Sequence, residues 1–228
     1  IKNNFAVNDG GGIKCRYSDK VVFYNCRIYN NTASRGAGLY FISTNDTSFI
    51  ENSVIYSNNN VGGLYSSYSN ICLKNSVIFD NSYGMYRYGT SNFKIENSII
   101  RNNSSYQIEF ASSDKPGNVE ISYSNIQGGA NNINTNFLGN LILGNGNIDL
   151  APQFLDSANG NFNLVSGSPG VDAGNPDLNG NGTPWQNDPE DQDPDGTRMD
   201  MGYGYAAQGP VVNFSSPIIS SPSNGVTY

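Results

Sequence analysis

The sequence predicts an all-β solenoid, a parallel β-helix in which Asn ladders line the coils and an irregular C-terminal cap follows the last coil. Three observations predict it. A short unit with constant internal spacing recurs along the first half of the chain, a Gly-rich turn follows most copies, and residues that form helices poorly are frequent. Only 14% of the 228 residues are charged, which is low for a helical protein with a solvated surface.

The repeated unit reads apolar-x-Asn-x-x-Ile-x-x-Asn, and its internal spacing does not change between complete copies. Successive first Asn residues lie 27, 23 and 22 residues apart. A period of this length is typical of solenoids, in which each repeat is one turn of the coil. The complete copies span 23–31, 50–58, 73–81 and 95–103, with partial copies at 1–4 and 121–129.

Each period is expected to hold about three short strands separated by bends, because a Gly-containing turn and another apolar position follow the unit, as at 36–39 and 62–64. A strand of three to five residues is not stable alone. Stacking the coils about 4.8 Å apart gives each strand two backbone neighbours and superimposes equivalent apolar side chains into one core.

The two Asn positions of the unit are expected to form two internal columns. A stacked amide donates to one neighbour and accepts from the other, so it satisfies polar groups whose burial would otherwise be costly. The first predicted column is Asn25, Asn52, Asn75 and Asn97, and the second is Asn4, Asn31, Asn58, Asn81 and Asn103.

Composition and missing motifs exclude several function classes. A formal net charge of -7 disfavours binding to a nucleic-acid backbone. No apolar run approaches the roughly 18 residues of a membrane-spanning helix, so we expect no membrane span. The chain has no His, which excludes a His base, a His metal ligand and a His-dependent triad within it.

Two segments carry a resemblance to a known family. Ile95-Glu96-Asn97-Ser98-Ile99-Ile100-Arg101-Asn102-Asn103 and the Gly-rich turn at 8–13 resemble the repeats of right-handed parallel β-helix proteins of the pectate-lyase-like and polymorphic-outer-membrane types. The resemblance covers about residues 1–130 and implies a right-handed solenoid. It says less about activity, because this fold hosts lyases, hydrolases, adhesins and passenger domains alike.

The C-terminal third resembles a second group of proteins. The segments 151–154, 168–174 and 193–202 resemble, in this order, the terminal region of secreted bacterial β-helix proteins of the choice-of-anchor type. This resemblance covers about residues 148–205 and implies a secreted, surface-attached protein. It also implies that the segment closes the solenoid, and Phe154, Phe162, Leu164 and Val171 are the expected plug of its open end.

We therefore expect three parts: β-helix coils over 1–147, a capping segment with acidic loops over 148–207, and a linker with a first strand over 208–228. The last part resembles the opening of an Ig-like or fibronectin-like module. Since the chain begins inside a repeat and ends inside this strand, we expect the parent protein to continue at both ends.

Two acidic loops in the cap predict a calcium site. Oxygen-bearing side chains at alternate positions, with Gly at the sixth, are how a loop wraps a hard cation. We expect Asp172 or Asp200 to bridge this site to the cap. The alternatives are plain solvated turns and a closing ion pair between Arg198 and Asp200. The expected ligands are Asp177, Asn179, Asn181, Asp191, Asp193 and Asp195.

Two stripes of aromatic residues are expected on the outer surface, because they follow inward-facing apolar positions. Stacked exposed rings can bind sugar rings or another protein, or they can simply pair across strands and stabilise the coil. The stripes are Tyr29, Tyr56 and Phe79, and Tyr40, Tyr65 and Tyr86.

No catalytic residue is assigned. Basic residues that a lyase could use are present by type only, and the best-placed acids, Glu51 and Glu96 with Lys74 between them, are expected to form a solvated charge ladder. We expect a non-catalytic, adhesin-like extracellular module that binds a polysaccharide or cell-surface glycan. The alternatives are a polysaccharide lyase or glycoside hydrolase whose active-site coils lie outside this chain, and a structural filament subunit that self-associates through open solenoid ends. The basic candidates are Lys74, Lys94, Arg27, Arg35, Arg87 and Arg101.

Overall fold

The computed structural model describes residues 1–111, 116–136 and 139–206, and the parallel strands up to Leu143 form a solenoid. The linker and first strand predicted over 208–228 lie outside the described residues. The strands are β1 (Ile13–Arg16), β2 (Val22–Tyr24), β3 (Arg27–Tyr29), β4 (Thr32–Ala33), β5 (Leu39–Ile42), β6 (Ser48–Glu51), β7 (Val54–Tyr56), β8 (Asn59–Asn60), β9 (Leu64–Ser67), β10 (Ile71–Lys74), β11 (Val77–Phe79), β12 (Met85–Tyr88), β13 (Phe93–Glu96), β14 (Ile99–Arg101), β15 (Ile108–Phe110), β16 (Gly117–Ser122), β17 (Asn125–Ile126), β18 (Ile133–Asn134), β19 (Gly139–Leu143), β20 (Phe154–Asp156) and β21 (Asn161–Leu164).

Three parallel sheets run along the solenoid, and consecutive coils supply neighbouring strands of each. Sheet 1 is β1-β5-β9-β12-β15-β18, sheet 2 is β2-β6-β10-β13-β16-β19, and sheet 3 is β3-β7-β11-β14-β17. Ile50 pairs with Leu73 and Leu73 with Ile95, as the repeat alignment requires. The predicted all-β parallel β-helix is therefore confirmed. Within the described ranges, no helix is long and apolar enough to span a membrane.

The interior of the coil consists of apolar columns, and each column contains the side chains at one inward-facing position of the repeat. Ile28, Ile55, Ile78 and Ile100 stack in sheet 3 with no exposed surface, and comparable columns come from the other two sheets. Stacking equivalent side chains in this way removes the interior from water without a second packed layer. The core therefore follows directly from the constant spacing of the repeat.

The second predicted Asn column is confirmed as an internal ladder. The side-chain amide of Asn31 donates to Asn58 Oδ1 at 3.0 Å, and that of Asn58 donates to Asn81 Oδ1 at 3.0 Å. The same Oδ1 atoms also accept the backbone N–H of the preceding coil, at 3.1 Å and 3.0 Å. Asn103 extends the ladder inside the coil, and Asn4 extends it at the other end, where Asn4 itself is exposed. Each Asn of the ladder thus hydrogen-bonds the bend of its own coil to the bend of the neighbouring coil.

The first predicted Asn column is real, but its position inside the coil is a wrong prediction. Asn25 is exposed and Asn52 and Asn75 are half-buried, whereas Asn97 is buried because Asn175 of the C-terminal segment packs on it. All four have positive φ. Asn tolerates this left-handed conformation better than most residues, so Asn is used here to turn the corner. The inward ladder at this corner is built of serines instead: Ser53, Ser76, Ser98 and Ser124, each accepting the backbone N–H of the equivalent residue in the coil before.

Close packing at the bend explains one of the recurring glycines. A Cβ added at Gly63 would lie 2.8 Å from the amide carbon of Asn81, which is closer than real Cβ contacts. The Asn81 side chain therefore occupies the space that a Cβ at position 63 would need, so this bend requires Gly. This is a contact requirement, since Gly63 does not need a positive φ.

The C-terminal segment packs along the side of the solenoid, so its predicted role as a plug of the open end is wrong. Val54, Val77 and Ile99 form a row on the outer face of sheet 3, and Phe162, Leu164 and Met201 cover it in a second apolar cluster. Phe154 and Val171 pack against the same cluster. An apolar outer row would be costly in water, and the segment removes it from solvent.

Candidate functional site

The first aromatic stripe carries the C-terminal segment. Tyr29 and Tyr56 stack with ring centroids 4.6 Å apart, as the alignment predicts. Phe162 lies 5.0 Å from the Tyr56 ring and 5.4 Å from the Phe79 ring, and Phe154 lies 5.5 Å from Phe79. The prediction that this stripe faces solvent is therefore wrong for Tyr56 and Phe79. Alternation along the strand pointed them out of the coil, but the chain itself covers them.

The second stripe also stacks in order, with Tyr40 next to Tyr65 and Tyr65 next to Tyr86 at 5.0 Å and 5.1 Å. Tyr40 and Tyr65 are buried, at 2% and 6% exposure, so their predicted solvent exposure is wrong as well. Burial, together with the neighbouring rings, raises the pKa of Tyr65. Rings so deeply covered stabilise the coil, and they offer little area to a ligand.

An open cavity lies on the outer face of sheet 2. It is a groove of about 500 Å³, and outward-facing side chains of neighbouring strands form part of its floor. Phe49, Cys72 and Lys94 occupy equivalent positions on neighbouring strands of this floor. Burial raises the pKa of the Cys72 thiol, so this thiol remains protonated at neutral pH. The lining residues are Thr47, Phe49, Asn70, Ile71, Cys72, Lys74, Asn92, Phe93, Lys94, Asn118 and Glu120.

An Asn ladder that sequence reasoning missed runs along the edge of this groove. The amide of Asn92 donates to Asn70 Oδ1 at 3.1 Å, and that of Asn140 donates to Asn118 Oδ1 at 3.2 Å. Asn92 Oδ1 accepts the backbone N–H of Asn118 at 2.8 Å. These residues lie 22, 26 and 22 positions apart, but they fall outside the repeated unit and are therefore hard to find in an Asn-rich sequence. Unlike the inner ladder, this one is open to solvent.

The charges of the groove come from Lys74, Lys94 and Glu120. Lys74 pairs in register with Glu51 and Glu96, as predicted, and its Nζ lies 3.3 Å from Glu96 Oε2. Glu96 is only 7% exposed because Asn175 of the C-terminal segment donates to it, so this part of the ladder is not solvated.

The other basic candidates lie elsewhere. Arg35 pairs with Asp9, and Arg101 pairs with Asp149. Arg87 lies inside the coil, where its Nε donates to the Ser91 carbonyl at 2.7 Å, and burial lowers its pKa to about 10. None of these arginines lines the groove. Lys74 and Lys94 are therefore the two basic residues of the candidate set that reach it.

An acidic cluster lies in the C-terminal segment. Asp172, Asp193 and Asp200 each place one carboxylate oxygen within 4.8 Å of the other two. Asp193 and Asp200 are 6% and 2% exposed. Burial, reinforced by Asp195 and Asp200, raises the pKa of Asp193 to about 7, and burial also raises the pKa of Asp200. Like charges crowded in a poorly solvated place account for both shifts.

Three of the predicted calcium ligands lie in or beside a separate hydrogen-bonded loop. The side-chain amides of Asn179 and Asn181 donate to Asp188 Oδ2, at 3.0 Å and 2.6 Å. The backbone N–H of Glu190, together with these two side-chain bonds, lowers the pKa of Asp188. Asp177 Oδ2 accepts the backbone N–H of Gly182 at 3.1 Å. The loop is thus held largely by its own amides.

The remaining predicted ligands, Asp191, Asp193 and Asp195, lie in the second acidic loop. Asp191 is fully buried, and its Oδ1 accepts the backbone N–H of Leu178 at 2.7 Å, which ties the two loops together. The carboxylates of Asp195 and Asp193 lie close together, and the Thr197 hydroxyl is within hydrogen-bond distance of both. Of the six predicted ligands, Asp193 is the one within the acidic cluster. Asp172 and Asp200, expected as bridges, are its other two members.

The Arg198–Asp200 ion pair, expected as an alternative, is not among the ion pairs of the described residues. The Arg198 guanidinium donates to the carbonyl oxygen of Gly174 and lies 5.6 Å from the centre of the Tyr123 ring. Arg198 thus joins the C-terminal segment to the solenoid, and Asp200 belongs to the acidic cluster.

A family model described as a right handed beta helix region matches residues 1–151, which include β1 to β19. No curated protein and no solved structure matches the chain. The matched region contains the parallel sheets and the inner ladder, and the chain belongs to the right-handed β-helix family.

Proposed function

We propose that this chain is a non-catalytic, adhesin-like module of a secreted, surface-attached protein, and that it binds a polysaccharide or cell-surface glycan in the groove of sheet 2. The observation that carries the proposal is the open groove itself, about 500 Å³ in volume and edged by a solvent-facing Asn ladder. Four of the six stripe rings, Tyr56, Phe79, Tyr40 and Tyr65, are largely covered by the chain, so the groove takes the role first expected of the stripes.

The chemistry of the groove supports a glycan ligand. Amide groups repeated about every 4.8 Å along one edge supply donors and acceptors in a row, which suits the hydroxyl groups of a sugar chain. The half-buried ring of Phe49 offers an apolar surface at the floor. Lys74 and Lys94 favour a glycan that carries carboxylates, such as one with uronic acid units.

A glycan array probed with the intact chain tests this proposal, followed by titration of the best-binding oligosaccharide. Lys94→Ala should weaken binding about tenfold, because one charge-assisted hydrogen bond contributes roughly 1.5 kcal/mol. Lys2→Ala is the matched control, since Lys2 is exposed and lies beside Tyr29 of sheet 3. Equal affinity for both variants, or an array without any bound glycan, would contradict the proposal.

The lyase alternative is favoured by one specific observation, which is that Lys94 and Glu120 share the groove. A lyase needs a base and a group that neutralises the uronate carboxylate. Incubation with uronate polymers, followed by ultraviolet absorbance of unsaturated products, separates the two functions. Product formed by the wild type and lost in Lys94→Ala would make the chain an enzyme. Binding without product supports the module.

A further inference from the structure

The acidic cluster gathers several carboxylates around one hydroxyl group. The Thr197 hydroxyl lies between Asp172, Asp193 and Asp195, with its Oγ1 2.7 Å from Asp195 Oδ1 and 3.5 Å from Asp193 Oδ1. A hydroxyl has a single proton and can donate to only one of these acceptors at a time. The cluster therefore gathers negative charge that this hydroxyl cannot balance.

Asp193 provides an independent observation. It is only 6% exposed, yet its Oδ2 is buried and has no hydrogen-bond partner among the described residues. Its other oxygen accepts the backbone N–H of Asp195 at 3.3 Å. A buried carboxylate oxygen without a donor is costly unless a cation faces it.

A cavity of about 280 Å³ lies beside the cluster, between the C-terminal segment and the corner of the solenoid. Asp193 and Asp200 line it from one side and Asn52 and Asn75 from the other. Asn75 Oδ1 is also buried without a hydrogen-bond partner among the described residues. Oxygen atoms from two parts of the chain thus meet at one small space that is open to an ion.

We propose that a calcium ion binds among Asp172, Asp193 and Asp200 and joins three turns of the C-terminal segment to each other beside the solenoid corner. All available ligands are oxygen atoms, which suit a hard cation. The three carboxylates lie within 4.8 Å of one another, a separation that ligands of one calcium ion can have. Thr197, Asn75 and water can complete the coordination.

The position of Asp200 links ion binding to docking of the segment. Asp200 Oδ1 accepts the backbone N–H of Asp172 at 2.8 Å, and its Oδ2 accepts that of Ala206 at 2.6 Å. Two residues later, the backbone N–H of Gly202 donates to the Asn97 carbonyl at 2.6 Å, which fastens the segment to the solenoid. Calcium should therefore stabilise the docked segment more than the coils.

Calcium titration by calorimetry, with thermal unfolding in calcium and in chelator, tests the site. Trp185 is the single Trp of the chain and lies in this segment, so its fluorescence reports the same event. We expect one ion to bind and the melting temperature to rise by roughly 5–10 °C at one hundred times Kd. Asp193→Asn should bind calcium at least tenfold more weakly, whereas Asp46→Asn, an exposed acid in sheet 1's following turn, should bind like the wild type.

The behaviour in chelator separates an ion site from a merely structural role. Asp193→Asn removes a repelling charge and adds an amide donor, so its melting temperature in chelator should equal or exceed that of the wild type. A melting temperature lower than the wild type by the same amount in calcium and chelator would overturn the proposal. If this variant fails to fold, Asp200→Asn provides the second test. No heat and no shift with calcium, or an equal shift with magnesium at the same concentration, would also overturn it.

Discussion

Replacing Asn58 with Ala is expected to lower the free energy of unfolding by about 3–5 kcal/mol. Asn58 lies in the middle of the inner ladder, where its Oδ1 accepts two hydrogen bonds from Asn31 and its amide donates to Asn81 and to the carbonyl oxygens of Ile28 and Tyr56. Ala would leave these partners buried without replacements. Urea unfolding followed by circular dichroism measures the loss.

Asn92→Ala is the matched control, because Asn92 holds the same place in the outer ladder. It donates to Asn70 and accepts from Asn118, but it is exposed. Water can satisfy the groups that this substitution releases, so we expect a loss of about 1 kcal/mol or less. Similar losses for the two variants would mean that burial of the inner ladder does not contribute to stability.

Replacing Phe162 with Ala should detach the C-terminal segment. Phe162 is 1% exposed and packs among the rings of Tyr56, Phe79 and Phe154. Removing a fully buried Phe costs about 3–5 kcal/mol, through lost burial and the cavity that remains. Native-state hydrogen exchange should place this loss in the amides of the segment, while the amides of the sheet 2 core keep their protection.

Leu155→Ala serves as the control for this prediction. Leu155 lies in β20 next to Phe154 but is 53% exposed, so its removal should change the exchange rates little. If Phe162→Ala left the segment as protected as Leu155→Ala does, the aromatic cluster would not be what holds the segment on sheet 3.

The coil could be predicted because one local rule is repeated. Residues at equal places in the unit, such as Ile55 and Ile78, must stack in register, so a constant spacing fixes both the sheet and the core. The inner ladder follows from the same rule. The serine ladder was missed because a Ser next to an Asn carries no signal in a chain rich in both, and the corner Asn was misplaced because a left-handed turn and a buried amide favour the same residue.

The outer surface could not be predicted in this way. Alternation shows that Tyr56 points away from the coil, but it does not show that Phe162, more than one hundred residues later, covers it. The acidic cluster could be predicted only in part: Asp172 or Asp200 was expected to bridge the calcium site, but that both meet Asp193 was not. Asp193 belongs to a recognisable loop, whereas Asp172 and Asp200 reach it through turns whose positions depend on the packing of the whole segment on sheet 3.

A crystal structure grown in calcium, with anomalous diffraction data, tests the central claim most directly. The claim is that the C-terminal segment lies along sheet 3 and that its acidic turns close around a calcium ion. The account predicts Phe162 against Tyr56, and one anomalous peak about 2.4 Å from carboxylate oxygens of Asp172, Asp193 and Asp200. A segment folded across the end of the solenoid, or a cluster without an anomalous peak, would contradict it.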